Sequence, residues 1–196
     1  MLIAGDLTEN EGGALMLAVE QLRQLFARAD QREWKFECDL QQGREREAPA
    51  IYIVSLLGKL DGEREPIEDV RRRLREEIRT MMNREARVFL CTVFRACEGD
   101  APTIERIRRL NLLVAQLSHE LDCGVIDFDR TFADIGARPL QTSYNLEGRP
   151  AREVAAYAIV KTLFAAGAFD DRIPAETVDQ ARALHDRAHR AVTTTA

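Results

Sequence analysis

Short β-rich runs and longer helical periodicities alternate along this chain, and the alternation narrows its fold to one class. Residues 2–4 are apolar. After the polar turn at 5–10, Leu15, Val19, Leu22 and Phe26 recur at spacings of four and three, as on a helix with one apolar face. Residues 34–38 alternate apolar and polar, as a half-buried strand does, and 50–57 form the near-continuous apolar run of a strand covered on both faces. Ile67, Val70, Leu74, Ile78 and Met81 predict a helix entered at Pro66, with Arg71, Arg72, Glu76 and Arg79 on its solvated side. Residues 87–94 read as the next strand. Thr103 is expected to cap a helix carrying Ile104, Ile107, Leu110, Val114, Leu117 and Leu121. A strand at 124–128 and a last core helix at 151–165, built on Val154, Ala155, Ala158, Ile159 and Leu163, complete the pattern.

Strands separated by helices predict a parallel sheet, because parallel neighbours need crossover connections. Right-handed crossovers then give a doubly wound, three-layer α/β/α sandwich of about five parallel strands. In such sheets ligands sit beyond the carboxyl ends of the strands. The loops at 6–10, 41–43, 58–61, 95–100 and 142–148 are expected to share that rim. The expected division is an α/β domain over 1–168 and a C-terminal helical extension over 169–196. In the extension Val178, Ala181, Leu184, Ala188 and Val192 form a narrow stripe.

Composition removes several function classes. The net charge of -5 offers no general attraction to phosphate backbones, so nucleic acid is not an expected partner. The apolar runs fall far short of the ~20 residues a bilayer span needs, so no membrane insertion is expected. No basic, apolar leader precedes the first strand-like run. The four cysteines, Cys38, Cys91, Cys97 and Cys123, form no CxxC pair and have no histidine at ligand spacing, so they read as reduced thiols. A cytoplasmic protein without cofactor or metal is expected. His185 and His189 share a helix face four residues apart but lack a third ligand, and read as exposed side chains. His119 suits the C-terminal dipole of its helix.

Familiar α/β sites lack their parts. No GxGxxG or GxxxxGK[ST] loop follows a strand, so the phosphate cradles of nucleotide sites are missing. Asp6, Glu9 and Glu11 suit the positive end of the first helix but repel an arriving phosphate. Asp6 and Asp61 could face each other, yet they make no phospho-acceptor site, since the strand ending at Phe128 brings no lysine.

What the turns do carry is an ordered set of blocks. The first strand runs into Gly5-Asp6-Leu7-Thr8-Glu9-Asn10, and Gly43 follows the second. Gly58-Lys59-Leu60-Asp61 follows the third, and Thr142-Ser143-Tyr144-Asn145-Leu146-Glu147-Gly148 precedes the last core helix. This order resembles the SGNH (GDSL-like) hydrolase family over roughly residues 2–166. Asn111, and the strand 125–127 leading to Phe132, also fall where the family's later strand and loop lie. The resemblance implies a flavodoxin-like sandwich. In active members it also implies a serine in the Gly-Asp-Ser-Leu turn, a glycine from the second block, an asparagine in Gly-x-Asn-Asp and a base in Asp-x-x-His.

The departures fall on the reacting groups. The nucleophile's place holds Leu7, or Thr8 if one residue is deleted, and Leu60 stands for the asparagine. No histidine lies between Leu121 and Leu184, and its place is Ser143 or Asn145. Loss of an oxyanion donor costs ~10²–10³ in turnover, and loss of nucleophile or base on the order of 10⁶. The degenerate catalytic positions are therefore Leu7, Thr8, Leu60 and Asn145. A vestigial pocket is expected from Asp6, Thr8, Glu9, Gly43, Gly58, Asp61 and Asn145. The expectation is a catalytically inactive SGNH-like protein, a binding or accessory component for a protein partner or a second copy, with room for a small ligand at the rim. One alternative is an esterase or acetyl-esterase with relocated groups, Thr8 as nucleophile and Asp61 or Glu9 as base. Another is a structural subunit that associates through the terminal helix. Otherwise Thr8 is expected to cap its helix, Asp6 to brace the turn, and Gly5 and Gly58 to permit tight turns.

Overall fold

The computed structural model describes residues 1–30, 32–40, 48–60, 65–95, 100–135 and 145–193, with side chains to Ala188. Along them run β1 (Leu2–Asp6), α1 (Glu9–Ala29), β2 (Glu37–Asp39), β3 (Ile51–Ser55) and a 3-10 turn (Leu57–Lys59). Then come α2 (Ile67–Met82), β4 (Arg87–Cys91), α3 (Ala101–Leu121), β5 (Gly124–Ile126) and α4 (Phe128–Ile135). Helices α5 (Arg149–Ala165) and α6 (Ala175–Thr193) close the chain. The five strands pair in the order β2-β1-β3-β4-β5, every pair parallel. This is the expected three-layer α/β/α sandwich, in flavodoxin-like strand order.

The period-two alternation of β3 builds a core on each side of the sheet. Ile51 and Ile53 enter one core with Leu15, Leu22 and Phe26 of α1 and Ile159 and Leu163 of α5. Val54 turns the other way, to Val70, Leu74 and Ile78 of α2 and Leu110, Val114 and Leu117 of α3. Between α1, α5 and the segment before α6, the rings of Phe26, Phe36, Phe164 and Phe169 meet at centroid distances of 5.1 to 6.0 Å. Val178 and Ala181 of α6 are buried in the same core, so this helix docks on the body of its own chain. Arg182 fastens it, donating to the Phe164 carbonyl at the end of α5 at 3.1 Å. Cys91 and Cys123 are buried free thiols and Cys38 is half-buried; Cys97 lies outside the described residues.

Two strands end before the sequence pattern does, each because a side chain takes over a backbone group. Ahead of β2, at the sheet edge, the Phe36 carbonyl accepts from Arg23 Nε at 2.8 Å, while the Glu37 amide donates to the Met1 carbonyl at 2.9 Å. Beyond Cys91 the amide of Val93 donates to Asn111 Oδ1 at 2.8 Å, and its carbonyl accepts from Asn111 Nδ2 at 2.9 Å. An asparagine thus replaces the partner strand. Strand β5 stops at Ile126 because Asp127 Oδ1 accepts the Arg130 amide at 3.0 Å and opens α4, a helix the apolar pattern did not suggest. Helix α3 starts a turn earlier than expected: Asp100, not Thr103, is its cap, accepting the Thr103 amide at 2.8 Å.

Two glycines need a different reading. Neither Gly5 nor Gly58 has a positive φ, so tight turning explains neither. Gly5 sits within β1, where a Cβ would lie 2.7 Å from the Ile53 carbonyl oxygen. Its role is close approach of two backbones. At Gly58 a Cβ would meet only Thr8 Cγ2, at an ordinary 3.9 Å. Gly5→Ala is expected to destabilise the protein by about 1–3 kcal/mol, whereas Gly58→Ala stays within about 0.5 kcal/mol. Urea midpoints of the two variants provide the comparison, and equal midpoints contradict it.

Candidate functional site

In a sheet of this order, β1 sends its neighbours off in opposite directions, so the crevice above the carboxyl ends of β1 and β3 is the natural ligand position. Asp6 closes β1 and Ser55 closes β3, and successive residues of a strand face opposite sides. The groups at the crevice therefore divide into two sets, one above α1 and one toward α2.

On the α1 side the centre is Glu11, a carboxylate only 2% exposed. Its Oε2 accepts from the Thr8 amide at 3.0 Å and from Thr8 Oγ1 at 2.7 Å, and its Oε1 accepts from Ser55 Oγ at 2.7 Å. Ser55 Oγ in turn accepts the Leu57 amide at 2.9 Å, which fixes the start of the 3-10 turn. Thr8 is the residue before α1, and its carbonyl receives the Gly12 amide at 2.8 Å. The helix start, the turn after β1 and the end of β3 are thus joined through one carboxylate. Burial pushes the Glu11 carboxyl above its usual range, and the bonds from Ser55 and Thr8 offset this only in part. Cys91, paired with Ser55 in the adjacent strand, has its thiol pushed well up by burial and by the Glu11 charge. Such a thiol is a poor nucleophile.

On the α2 side Asp6 Oδ2 meets Lys59 Nζ at 3.3 Å. Below them Tyr52 donates to Glu77 Oε1 at 2.9 Å. Burial raises the Glu77 carboxyl, helped by the Asp6 charge and opposed by the Tyr52 bond and by Lys59 and Arg73. The Tyr52 phenol is likewise raised by burial and by Glu77. Farther along the rim, Thr92 Oγ1 donates to Asp127 Oδ1 at 3.0 Å, and Arg95 Nε reaches Asp129 at 2.8 Å.

The residues singled out from sequence fall as follows. Asp6, Thr8 and Gly58 stand together at the crevice, with the Thr8 methyl 3.9 Å from where a Cβ on Gly58 would lie. Leu7 is partly buried against the α1-side core, and Leu60 is buried in the opposite one. Glu9 is exposed on the first turn of α1. The backbone carbonyl of Asn145 accepts from Asn10 Nδ2 at 3.0 Å, which ties the segment before α5 to the start of α1. Gly43, Asp61 and Ser143 lie outside the described residues. Among those described, no group of three or more His, Cys, Asp or Glu could hold a metal ion, and no helix is long and apolar enough to cross a membrane.

His119 is exposed in the last turn of α3, which descends from the rim. His185, expected exposed, is buried at 6%. The face of α6 that docks runs through Val178, Ala181 and His185, so the helix turns its imidazole inward, stacked on Tyr157 with centroids 4.9 Å apart. The side chain of His189 is outside the described residues. Glu11, Ser55, Lys59, Tyr52 and Glu77 were not singled out from sequence. Thr8 and Glu11 do stand at capping-box spacing, a signal that could have found the pair.

The fold is similar to that of a solved acetyl xylan esterase, AlAXEase, with a TM-score of 0.64 at 11% sequence identity, over 81% of this chain and 98% of that one. At that identity the likeness concerns the fold. No protein-family model matches the chain, and no curated protein matches it.

Because the folded-state carboxyl of Glu11 lies above its unfolded value, its contribution to stability is fully present below the unfolded pKa and is lost as pH rises through the folded one. Glu11→Gln cannot ionise. The stability of this variant relative to the parent should therefore rise with pH across the acid range and level off above the folded pKa. Urea melts at several pH values give the difference, and a difference constant with pH contradicts the assignment.

Proposed function

We infer that this chain is a non-catalytic protein built on an SGNH-like scaffold, serving as a binding or accessory component rather than as an acyl-transfer enzyme. One observation carries the reading. The hydroxyl nearest the place of the family's serine, Thr8 Oγ1, points its proton into the buried Glu11. That carboxylate also accepts the helix-start amide and Ser55, so it acts as a bracket between β1 and β3. Leu7 and Leu60, at the nucleophile and oxyanion positions, have no polar side-chain atom to offer. The sheet crevice, with Asp6 and Lys59 at its lip, is the place for a small ligand.

The same 2.7 Å contact favours a second reading. A hydroxyl donating to a carboxylate of raised pKa has the geometry of a nucleophile and its base, with Glu11 in place of the Asp61 or Glu9 suggested by sequence. An ester or acetylated-carbohydrate substrate, as the neighbour's name suggests, is then the class to try. Association through the terminal helix draws less support, since the docking face of α6 is already covered by α1 and α5.

Assay of the purified chain on p-nitrophenyl acetate and acetylated xylo-oligosaccharides separates the two. The non-catalytic reading expects release no faster than in blanks, unchanged in Thr8→Ala. Saturable turnover that Thr8→Ala abolishes, with a covalent fluorophosphonate adduct on Thr8, would establish the hydrolase instead.

A further inference from the structure

Behind the sheet, where α1, α5 and α6 meet, the surface opens into a cleft of about 310 Å³. This is the lower end of the range for small-molecule sites, roughly 300–1,000 Å³. Its lining combines the apolar Leu25 and Ala188, the stacked rings of Tyr157 and His185, and the polar Gln21 and Arg28. The site is remote from the rim groups and owes nothing to the reading of them given above.

Three features point to the ligand's chemistry. No carboxylate is among the described residues that line the cleft, although the chain carries a net charge of -5 and Asp186 Oδ1 lies 3.5 Å from His185 Nδ1 beside it. Arg28, like Arg79 and Arg108, has neither side-chain hydrogen bond nor ion pair among the described residues, and of these three it alone lines the cleft. His185 is a buried polar side chain in the wall, on a helix face whose other docking residues, Val178 and Ala181, are apolar. A leucine would satisfy packing at that position. The imidazole brings hydrogen-bonding capacity to a lining that also contains the Arg28 guanidinium.

We propose that this cleft binds a small organic carboxylate with a compact aromatic or branched apolar body, of about the size of benzoate. The carboxylate meets the planar fork of Arg28, whose two parallel N–H groups match it bidentately. The body lies against Leu25 and the Tyr157–His185 stack, and the Gln21 amide is placed beside the carboxylate. The ligand is recognised by one negative charge on an apolar frame, so an uncharged isostere binds worse.

The test is NMR titration of the full-length isotope-labelled chain with sodium benzoate and, separately, with benzamide, at constant ionic strength. Saturable shifts of the His185 and Tyr157 ring resonances by benzoate are expected, with benzamide at least ten-fold weaker. Arg28 is exposed near the end of α1, so Arg28→Gln leaves the fold intact. This variant should weaken benzoate by about ten-fold or more and leave benzamide unchanged. The proposal is overturned by an absence of saturable shifts, by equal benzoate affinity in Arg28→Gln, or by shifts confined to residues at the sheet rim.

Discussion

A carboxylate withdrawn from water holds the upper end of this molecule together. Burying Glu11 carries a desolvation penalty, and three donated hydrogen bonds offset part of it, each from a group that would otherwise lack a partner at the same place. The Thr8 amide is one of the open donors of a helix start. Ser55 ends a strand covered on both faces, and its hydroxyl would be buried without an acceptor. Through Glu11 the departure of α1 from β1 is set against the departure of the chain from β3, and these are the two connections that diverge at the crevice. Removal of any one partner would leave the others buried and unsatisfied, which makes the group a unit.

Such a bracket lets the scaffold stand whether or not reacting groups occupy its rim. The two cores on either side of the sheet reach the rim only through apolar residues, Leu7 against one and Leu57 and Leu60 in the other, so their packing asks nothing of the polar side chains in the turn after β1. The turn then has to satisfy its own polar groups. With Leu7 at the first position, directed toward the apolar core, Thr8 supplies the only hydroxyl of that turn, and it is used to bracket the fold. Toward α2, Asp6 and Lys59 neutralise each other over the Tyr52–Glu77 pair. The crevice is lined by polar groups that are paired with one another.

The layers of the fold were legible because they depend on period alone. Runs such as Ile51–Ser55 and stripes such as Val70, Leu74 and Ile78 announce strand and helix wherever the rest of the chain lies. Element ends were less legible, since one can rest on a single distant side chain, as β4 does on Asn111. That pairing leaves no local trace. At the site the turn itself was found from its blocks, yet Glu11 was read only as one of several acidic residues at a helix start, because burial of a carboxylate is decided by Ser55, 44 positions away. His185 failed for a related reason. A polar composition suggested exposure, while the docking angle of α6 selects the line through 178, 181 and 185.

The packing of α1 also bears on how the protein is made. This early helix rests on the last two, with Phe26 enclosed by Phe164 and Phe169 and its neighbours covered by α5 and α6. The nascent chain therefore carries α1 covered only on its sheet-facing side through much of its translation, and the rest of its apolar surface is covered only when α5 and α6 emerge from the ribosome. A truncated message would yield a product with that surface bare, a ready target for chaperones and proteases.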